Sequence, residues 1–271
     1  LRNLVDACRR SPRDYAGRED VLLALKTNLV RETKPGVVLI GKEGVGKTVI
    51  VEMLARDVAF NRNIPGDLTG KPIYDLPLGV IVENTRCIGE MERQLRRLLD
   101  VPGRPIFFAD ELHQISRQEL KPLCDVLKPA LANGQIRLIG ATTPIEWRKV
   151  EDNAFKRRFL EMTVEEPSPS ETFTMLAERV KSLARHHHMD IDDALIREAI
   201  MLAARYIPMR QFPDKAVDVL DLACALQTTR AVRSSVTNAT EPKVESTHAE
   251  PKGDKQNENT GNASERNAET R

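Results

Sequence analysis

Apolar positions along the first two thirds of the chain fall into two kinds of run. Short, mainly apolar stretches predict strands: Gly36-Val37-Val38-Leu39-Ile40, Ile73 to Leu76, Pro105 to Ala109, Ile136 to Thr143 and Phe159 to Val164. Runs apolar on both faces suit the interior of a parallel sheet. Between them lie segments with apolar residues at helical spacing, at 21–31, after Thr48, from Leu78, at 90–100, at 118–132 and after Pro144. Asn133-Gly134 is a good stop signal for the helix before it. This alternation predicts an α/β domain over 15–165, with a parallel five-stranded sheet flanked by helices.

Beyond Glu165-Glu166-Pro167-Ser168-Pro169-Ser170, which reads as a linker, the strands stop. Three helical patterns follow at 170–187, 192–206 and 213–228, so residues 166–230 are predicted to form a small all-α domain. Residues 1–14 form a basic segment (Arg2, Arg9, Arg10, Arg13), read as a short helix closed by Ser11-Pro12. Residues 231–271 are polar, hold no aromatic side chain, and carry too little apolar surface to offset the entropy of ordering. They are expected to be a disordered tail.

Composition narrows the picture. With 271 residues, 41% hydrophobic and 30% charged, the chain is ordinary for a cytoplasmic protein. A net charge of +1 argues against strong whole-molecule attraction to nucleic acid or an anionic membrane. On the charged helix 90–100, Arg93, Arg96 and Arg97 are offset by Glu90, Glu92 and Asp100, which suits a solvated face better than a DNA contact. No apolar run reaches the length of a membrane span and no leader opens the chain, so membrane insertion is not expected. The opening at Leu1 fits a segment of something longer. Cys8, Cys87, Cys124 and Cys224 lie far apart without CxxC spacing, as free thiols in a reducing compartment would. His186-His187-His188 invites a metal reading, but no acidic or cysteine partner stands at ligand spacing, and a helix end is preferred.

The chemistry concentrates at Gly41-Lys42-Glu43-Gly44-Val45-Gly46-Lys47-Thr48. This glycine-rich loop lies between a strand and the helix that opens through Thr48 and Val49. In that setting the pattern cradles phosphates: backbone amides converge on one spot, and the helix N-terminus adds positive potential. Lys47 is placed to reach terminal phosphates and Thr48 to ligate Mg²⁺. A nucleoside triphosphate and Mg²⁺ are therefore the expected ligands. Asp110 and Glu111 end a buried strand on the edge where open α/β sheets bind ligands. Asp110 is the expected second Mg²⁺ group, and Glu111 the residue that orients the attacking water. Thr143, or Thr142 one residue before it, ends a neighbouring strand and is placed to contact the γ-phosphate. Arg157 and Arg158 lie past the last strand, poorly placed for their own nucleotide. In a ring they would serve a neighbour's site; otherwise they are surface charges paired with Glu161 or Asp152.

Together these residues resemble the AAA+ superfamily, specifically the first ATPase module of the Clp unfoldases and disaggregases. The matching text includes Gly17-Arg18-Glu19, the loop at 41–48, Asp110-Glu111-Leu112-His113, Leu127 to Ala132, Leu138 to Thr143, Arg157-Arg158-Phe159 and Phe212-Pro213-Asp214-Lys215-Ala216. Arg205 to Pro208 with Ala223-Cys224-Ala225 is most similar to the type VI secretion branch. The resemblance implies a P-loop nucleotide domain with a helical lid, assembled as a ring homo-oligomer, usually a hexamer. Arg157 and Arg158 would then act in trans. Gly17, Arg18, Pro213, Asp214 and Lys215 would border the base and ribose, and no metal would bind the histidines. It also implies protein remodelling on a substrate or adaptor. The substrate-gripping loop departs from the family: in Thr85-Arg86-Cys87-Ile88-Gly89-Glu90, Cys87 stands where an aromatic residue is expected. Two readings follow, a motor that remodels protein substrates or a nucleotide-dependent switch that binds a partner without threading it.

Overall fold

A computed structural model describes residues 1–32, 36–83, 86–99 and 104–239. The chain divides into two units, Leu1–Arg230 and Ala231–Arg271. In the second, residues 231–239 are described and all are helical.

The larger unit opens with β1 (Arg2–Asn3), α1 (Leu4–Arg10) and α2 (Glu19–Leu29). The nucleotide-loop region follows as β2 (Gly36–Ile40) and α3 (Lys47–Phe60), then β3 (Ile73–Asp75), α4 (Leu78–Glu83) and α5 (Arg86–Leu99). Next come β4 (Ile106–Ala109), α6 (Lys121–Ala132), β5 (Arg137–Thr142), α7 (Pro144–Lys149), α8 (Asn153–Lys156) and β6 (Phe159–Thr163). The last three helices are α9 (Pro169–His187), α10 (Asp193–Tyr206) and α11 (Asp214–Ala239).

Among the described residues one six-stranded sheet forms, in the order β1-β3-β4-β5-β2-β6. The five predicted strands are mutually parallel. Unforeseen is the antiparallel edge, where Arg2 pairs with Asp75 and Asn3 with Tyr74. The basic segment is thus part of the sheet, and Leu4 and Val5 of α1 are buried with α3. Every residue of β2, β4 and β5 is buried. Their side chains alternate between two apolar layers, because successive strand residues point to opposite faces. Val38, Ile40, Phe107, Ala109 and Leu138 enter the layer beneath α5 and α6. Val37, Leu39, Ile106, Phe108, Ile139 and Ala141 enter the layer beneath α2 and α3. Registry aligns Ile40 with Thr142 and Ala109 with Gly140, so the loop after β2, the acids after β4 and the hydroxyls after β5 share one sheet edge.

Gly140 faces Leu112, whose side chain covers it: a Cβ there would lie 2.2 Å from Leu112 Cδ2 and 3.0 Å from its Cβ. Gly140→Ala is expected to cost about 1–3 kcal/mol by overpacking. A urea midpoint equal to that of the parent chain would contradict this packing.

The lid has its own core. Leu176, Val180 and Leu183 of α9 pack with Ile196, Ala199, Ile200 and Ala203 of α10 and with Ala216, Leu220 and Cys224 of α11. Its helices begin where short polar side chains satisfy free amides. Ser168 and Glu171 form a capping box at α9, so the expected linker is already entering the helix at Ser168-Pro169. Asp192 caps α10. The histidine tract is a helix end, with His188 as the left-handed cap residue, His187 Nε2 2.7 Å from Asp221 Oδ1, and His186 stacked edge-on against His187. Where the disordered tail was expected to begin, α11 continues to Ala239; the tail from 240, Thr85 and the Cys87 side chain lie outside the described residues. Among the described residues no helix is long and apolar enough to cross a membrane.

Candidate nucleotide site

The loop after β2 is shaped by Gly44 (φ +80°) and Gly46 (φ +92°), left-handed conformations that side-chain-bearing residues rarely adopt. Gly46 leads directly into α3, whose first turn holds no acid to compete for its free amides. Val45 is 1% exposed and pins the loop to the core. Lys47 Nζ donates to the carbonyls of Gly41 (2.8 Å) and Lys42 (2.9 Å), so the ammonium is held over the loop by the loop's own backbone. Burial lowers the Lys47 pKa, against the opposing pull of Asp110, Glu43 and Glu146.

A cavity of about 600 Å³ opens on this loop. Glu43, Gly44, Gly46, Lys47, Thr48 and Val49 line it, together with Asp110, Glu111, Thr142 and Thr143 from the neighbouring strand ends. Thr48 Oγ1 donates to Asp110 Oδ2 at 2.8 Å, which places two hard oxygen donors side by side. Glu111 sits in the left-handed region (φ +51°) at the start of a tight turn over Leu112–Ser116, and its carboxylate accepts a hydrogen bond from the Gln114 amide. Thr142 is buried and faces His113, with Oγ1 3.2 Å from Nδ1. Thr143 caps α7: its hydroxyl donates to Glu146 Oε2 at 2.7 Å and accepts from the Glu146 amide at 3.3 Å. Both candidate γ-phosphate contacts therefore reach the cavity, each with a partner already in place.

The cavity's far walls come from outside the sheet. Tyr15, Ala16 and Glu52 line one side, and the Tyr15 hydroxyl donates to Glu52 at 2.8 Å. Met175 and Leu176 of α9, with Pro213, Asp214 and Val217, supply the lid side. Asp214 N lies 3.4 Å from the Gly44 carbonyl, so the start of α11 rests on the phosphate loop.

Three residues expected to border base and ribose lie elsewhere. Lys215 is 6% exposed, with Nζ 3.1 Å from Glu166 and 4.0 Å from the Phe212 ring centroid, because the linker carboxylate and an aromatic face together satisfy its charge. It ties the lid to the linker and does not line the cavity. Arg18 donates to the carbonyls of Val45 and Glu165, bracing the loop from behind. Gly17 lies against the lid, where a Cβ would sit 2.8 Å from Met175 Cγ of α9. Gly41 and Lys42 contribute carbonyls to Lys47 and do not line the cavity.

Arg157 and Arg158 are exposed and do not line the cavity. The partners considered for them are engaged elsewhere: Asp152 holds Lys128 at 2.5 Å, and Glu161 accepts from Trp147 Nε1 at 2.7 Å. Among the described residues neither guanidinium has an ion-pair partner.

Sequence reasoning missed Gln114, His113 as a network member, and Glu146. The signal for Glu146 was present, since Thr143-x-x-Glu146 after a strand is a capping-box pattern. Nothing local marked Met175 or Tyr15, which reach the cavity only through tertiary packing.

The donor set fits a magnesium nucleotide. Converging amides and Lys47 suit phosphates, while Asp110, Glu111 and Glu146 beside them would repel a bare triphosphate and so favour one that arrives with a hard divalent cation.

Comparison with known proteins identifies the family. Residues 37–165 match the family described as ATPase family associated with various cellular activities (AAA), and residues 168–270 match the AAA lid domain. The second match takes in the polar segment from 231. The chaperone protein ClpB of Aquifex aeolicus is 37% identical over 233 residues, covering 82% of this chain and 23% of that protein. The ATP-binding subunit ClpL of Staphylococcus aureus is 35% identical over 237 residues, covering 83% of this chain and 34% of that protein. A solved structure of the S. cerevisiae Hsp104:casein complex superposes with a TM-score of 0.77 at 31% identity, over 85% of this chain and 41% of that one. The chain thus spans about a quarter to a third of the length of these curated relatives.

Proposed function

Because this chain belongs to the AAA ATPases, as a Clp-type nucleotide domain followed by its lid, we propose that it hydrolyses ATP to ADP and phosphate in a ring of copies, with each site completed by a neighbour. The observation that carries this reading is an asymmetry. Lys47, Thr48, Asp110, Glu111 and Thr143 converge on one cavity, while the two arginines suited to the transferred phosphoryl charge stand exposed outside it. Arg13 and the α9 residues Arg179, Lys181 and Arg185 also line the cavity, while two exposed arginines just before β6, without ion-pair partners among the described residues, suit a site shared between subunits.

In this mechanism the loop amides and the α3 N-terminus hold the phosphates, and Lys47 exchanges its two carbonyl partners for phosphate oxygens. Thr48 and Asp110 would hold Mg²⁺, which when bound offsets charge on the phosphates. Glu111 leaves Gln114, orients a water and takes its proton as that water attacks the γ-phosphorus. The bond to the β-phosphate oxygen breaks, leaving ADP. Thr143, with Thr142 as the buried residue behind it, hydrogen-bonds the γ-phosphate. Arg157 and Arg158 of the next copy neutralise the charge that develops.

The output we propose is remodelling of a protein partner by a hexameric ring. Support comes from the Hsp104:casein complex, in which a protein similar to this chain is held with casein. Cys87 favours the alternative, a switch that binds its partner without threading, since its small side chain offers far less area to wedge against a chain than an aromatic one. The free thiols Cys8, Cys124 and Cys224 support a reducing, cytoplasmic setting.

Phosphate release assayed with ATP should require Mg²⁺ and stop when the metal is chelated. Turnover that persists without a divalent cation would sink the proposed site.

A further inference from the structure

Glu146 is a carboxylate inside the phosphate cavity that the hydrolytic mechanism does not use. It lines the same wall as Lys47, Glu111 and Thr143. Its Oε2 accepts the Thr143 hydroxyl proton at 2.7 Å, the Thr143 amide at 3.4 Å, and stands 3.3 Å from His113 Nδ1. Burial pushes the Glu146 carboxyl up. The Thr143 hydroxyl, His113, the Thr143 amide and Lys47 outweigh this and hold it below the usual carboxylate range. Glu146 is therefore an anion, and it holds the one proton that the Thr143 hydroxyl has to offer. A hydroxyl carries a single donor. A γ-phosphate oxygen, which has no proton, can be bound by Thr143 only if Glu146 gives that proton up.

We propose that Glu146 is a latch on Thr143, competing with the γ-phosphate for its hydroxyl and thereby setting how strongly the site prefers ATP over ADP. This rests on the reading of Thr143 as the γ-phosphate contact. Glu146 occupies the donor through a charge-assisted hydrogen bond, roughly twice as strong as a neutral one. When Thr143 turns to the nucleotide, Glu146 is not left bare, because His113 Nδ1 lies 3.3 Å away and, with its proton on that nitrogen, donates to Glu146 in place of Thr142 Oγ1, 3.2 Å away. The latch thus connects the turn after the two acids of β4 with the hydroxyls that end β5. ADP lacks the γ-phosphate and leaves the latch shut. Glu146 acts through Thr143 and is a positioning residue.

The test is a pair of dissociation constants, for ADP and for a slowly hydrolysed ATP analogue such as ATPγS, both with Mg²⁺, and their ratio. Glu146→Gln keeps the size of the side chain and an oxygen for the α7 cap but removes the charge. It is expected to raise the preference for the analogue about tenfold while leaving ADP affinity within about twofold, because a neutral acceptor holds the hydroxyl less tightly. Thr143→Ala is expected to lower the preference, and adding Glu146→Gln to it should change nothing further. The latch is overturned if Glu146→Gln leaves the ratio unchanged or shifts both ligands equally. It is also overturned if the gain persists in the Thr143→Ala background, which would make Glu146 a remote charge only. If Thr143→Ala itself leaves the ratio at the parent value, the reading of Thr143 fails and takes the latch with it. A lowered ratio in Thr143→Ala beside an inert Glu146→Gln removes the latch alone. The unchanged ADP affinity shows in the same measurement that each variant is folded.

Discussion

Arg157→Ala is expected to cut ATP hydrolysis roughly 10³- to 10⁵-fold while nucleotide affinity stays within a few-fold, the range over which a charge-neutralising arginine acts in phosphoryl transfer. The expectation follows from position. Arg157 is the residue just after α8, its side chain is exposed, and it does not line the cavity that Lys47 lines. Binding in one subunit is served by the loop amides, Lys47 and the lid wall, none of which touches Arg157. Chemistry is different, because charge moving to the equatorial and leaving oxygens needs a cation in a site closed to water. The two quantities should therefore separate. Loss of binding together with turnover would mean that Arg157 supports the fold, and an undiminished rate would refute its role. Phosphate release and the dissociation constant for the analogue decide it.

Glu111→Gln is expected to lower turnover about 10²- to 10⁴-fold, the typical worth of a positioned general base, with nucleotide still bound. The amide matches the carboxylate in shape but cannot take a proton from water. The neighbourhood should tolerate it: Glu111 is exposed at the end of β4, and Asp110, one residue before, keeps its bond to Thr48. Gln114 would face an amide oxygen where it now donates to a carboxylate, so the side chain retains its anchor. Normal turnover in this variant would remove Glu111 from the mechanism.

The fold was legible where burial on both faces leaves a plain signature. Strands β2, β4 and β5 could be placed within a residue or so because uninterrupted apolar runs have few other uses. The shared edge of the loop, Asp110, Glu111 and Thr143 followed from parallel pairing. Failure came where two or three residues of tertiary pairing decide the outcome. The β1 edge joins Arg2 and Asn3 to Asp75 and Tyr74 by backbone bonds, which no side-chain pattern reports. Where α11 ends was equally opaque: residues 231–239 hold two valines and two alanines among polar side chains, too few to mark a helix by periodicity, yet their backbone is helical. Lys215 was misplaced because one residue of helix rotation separates Asp214, on the loop, from a lysine pointing at Glu166 and Phe212. Partners of the catalytic groups were harder still. Gln114, His113 and Glu146 lie within a few residues of Glu111 and Thr143 in sequence, but only the turn over Leu112–Ser116 and the register of β4 on β5 bring them together.

These partners share a theme. Lys47 is held by two loop carbonyls, Thr48 by Asp110, Glu111 by Gln114 and Thr143 by Glu146. Each of these four side chains already has a partner within the chain. On the proposed mechanism nucleotide binding is then an exchange of partners, and the difference between ATP and ADP would lie in how many exchanges each completes.

The central claim, a site completed by a second copy, is tested most directly by mixing two inactive variants. Arg157→Ala keeps an intact pocket and lacks the arginine it would lend; Glu111→Gln lends the arginine and lacks the base. In a ring with head-to-tail contacts, an equal mixture should restore about a quarter of the pockets, and phosphate release should rise to roughly that share of the parent rate. A mixture no more active than the sum of its two components would contradict the shared site.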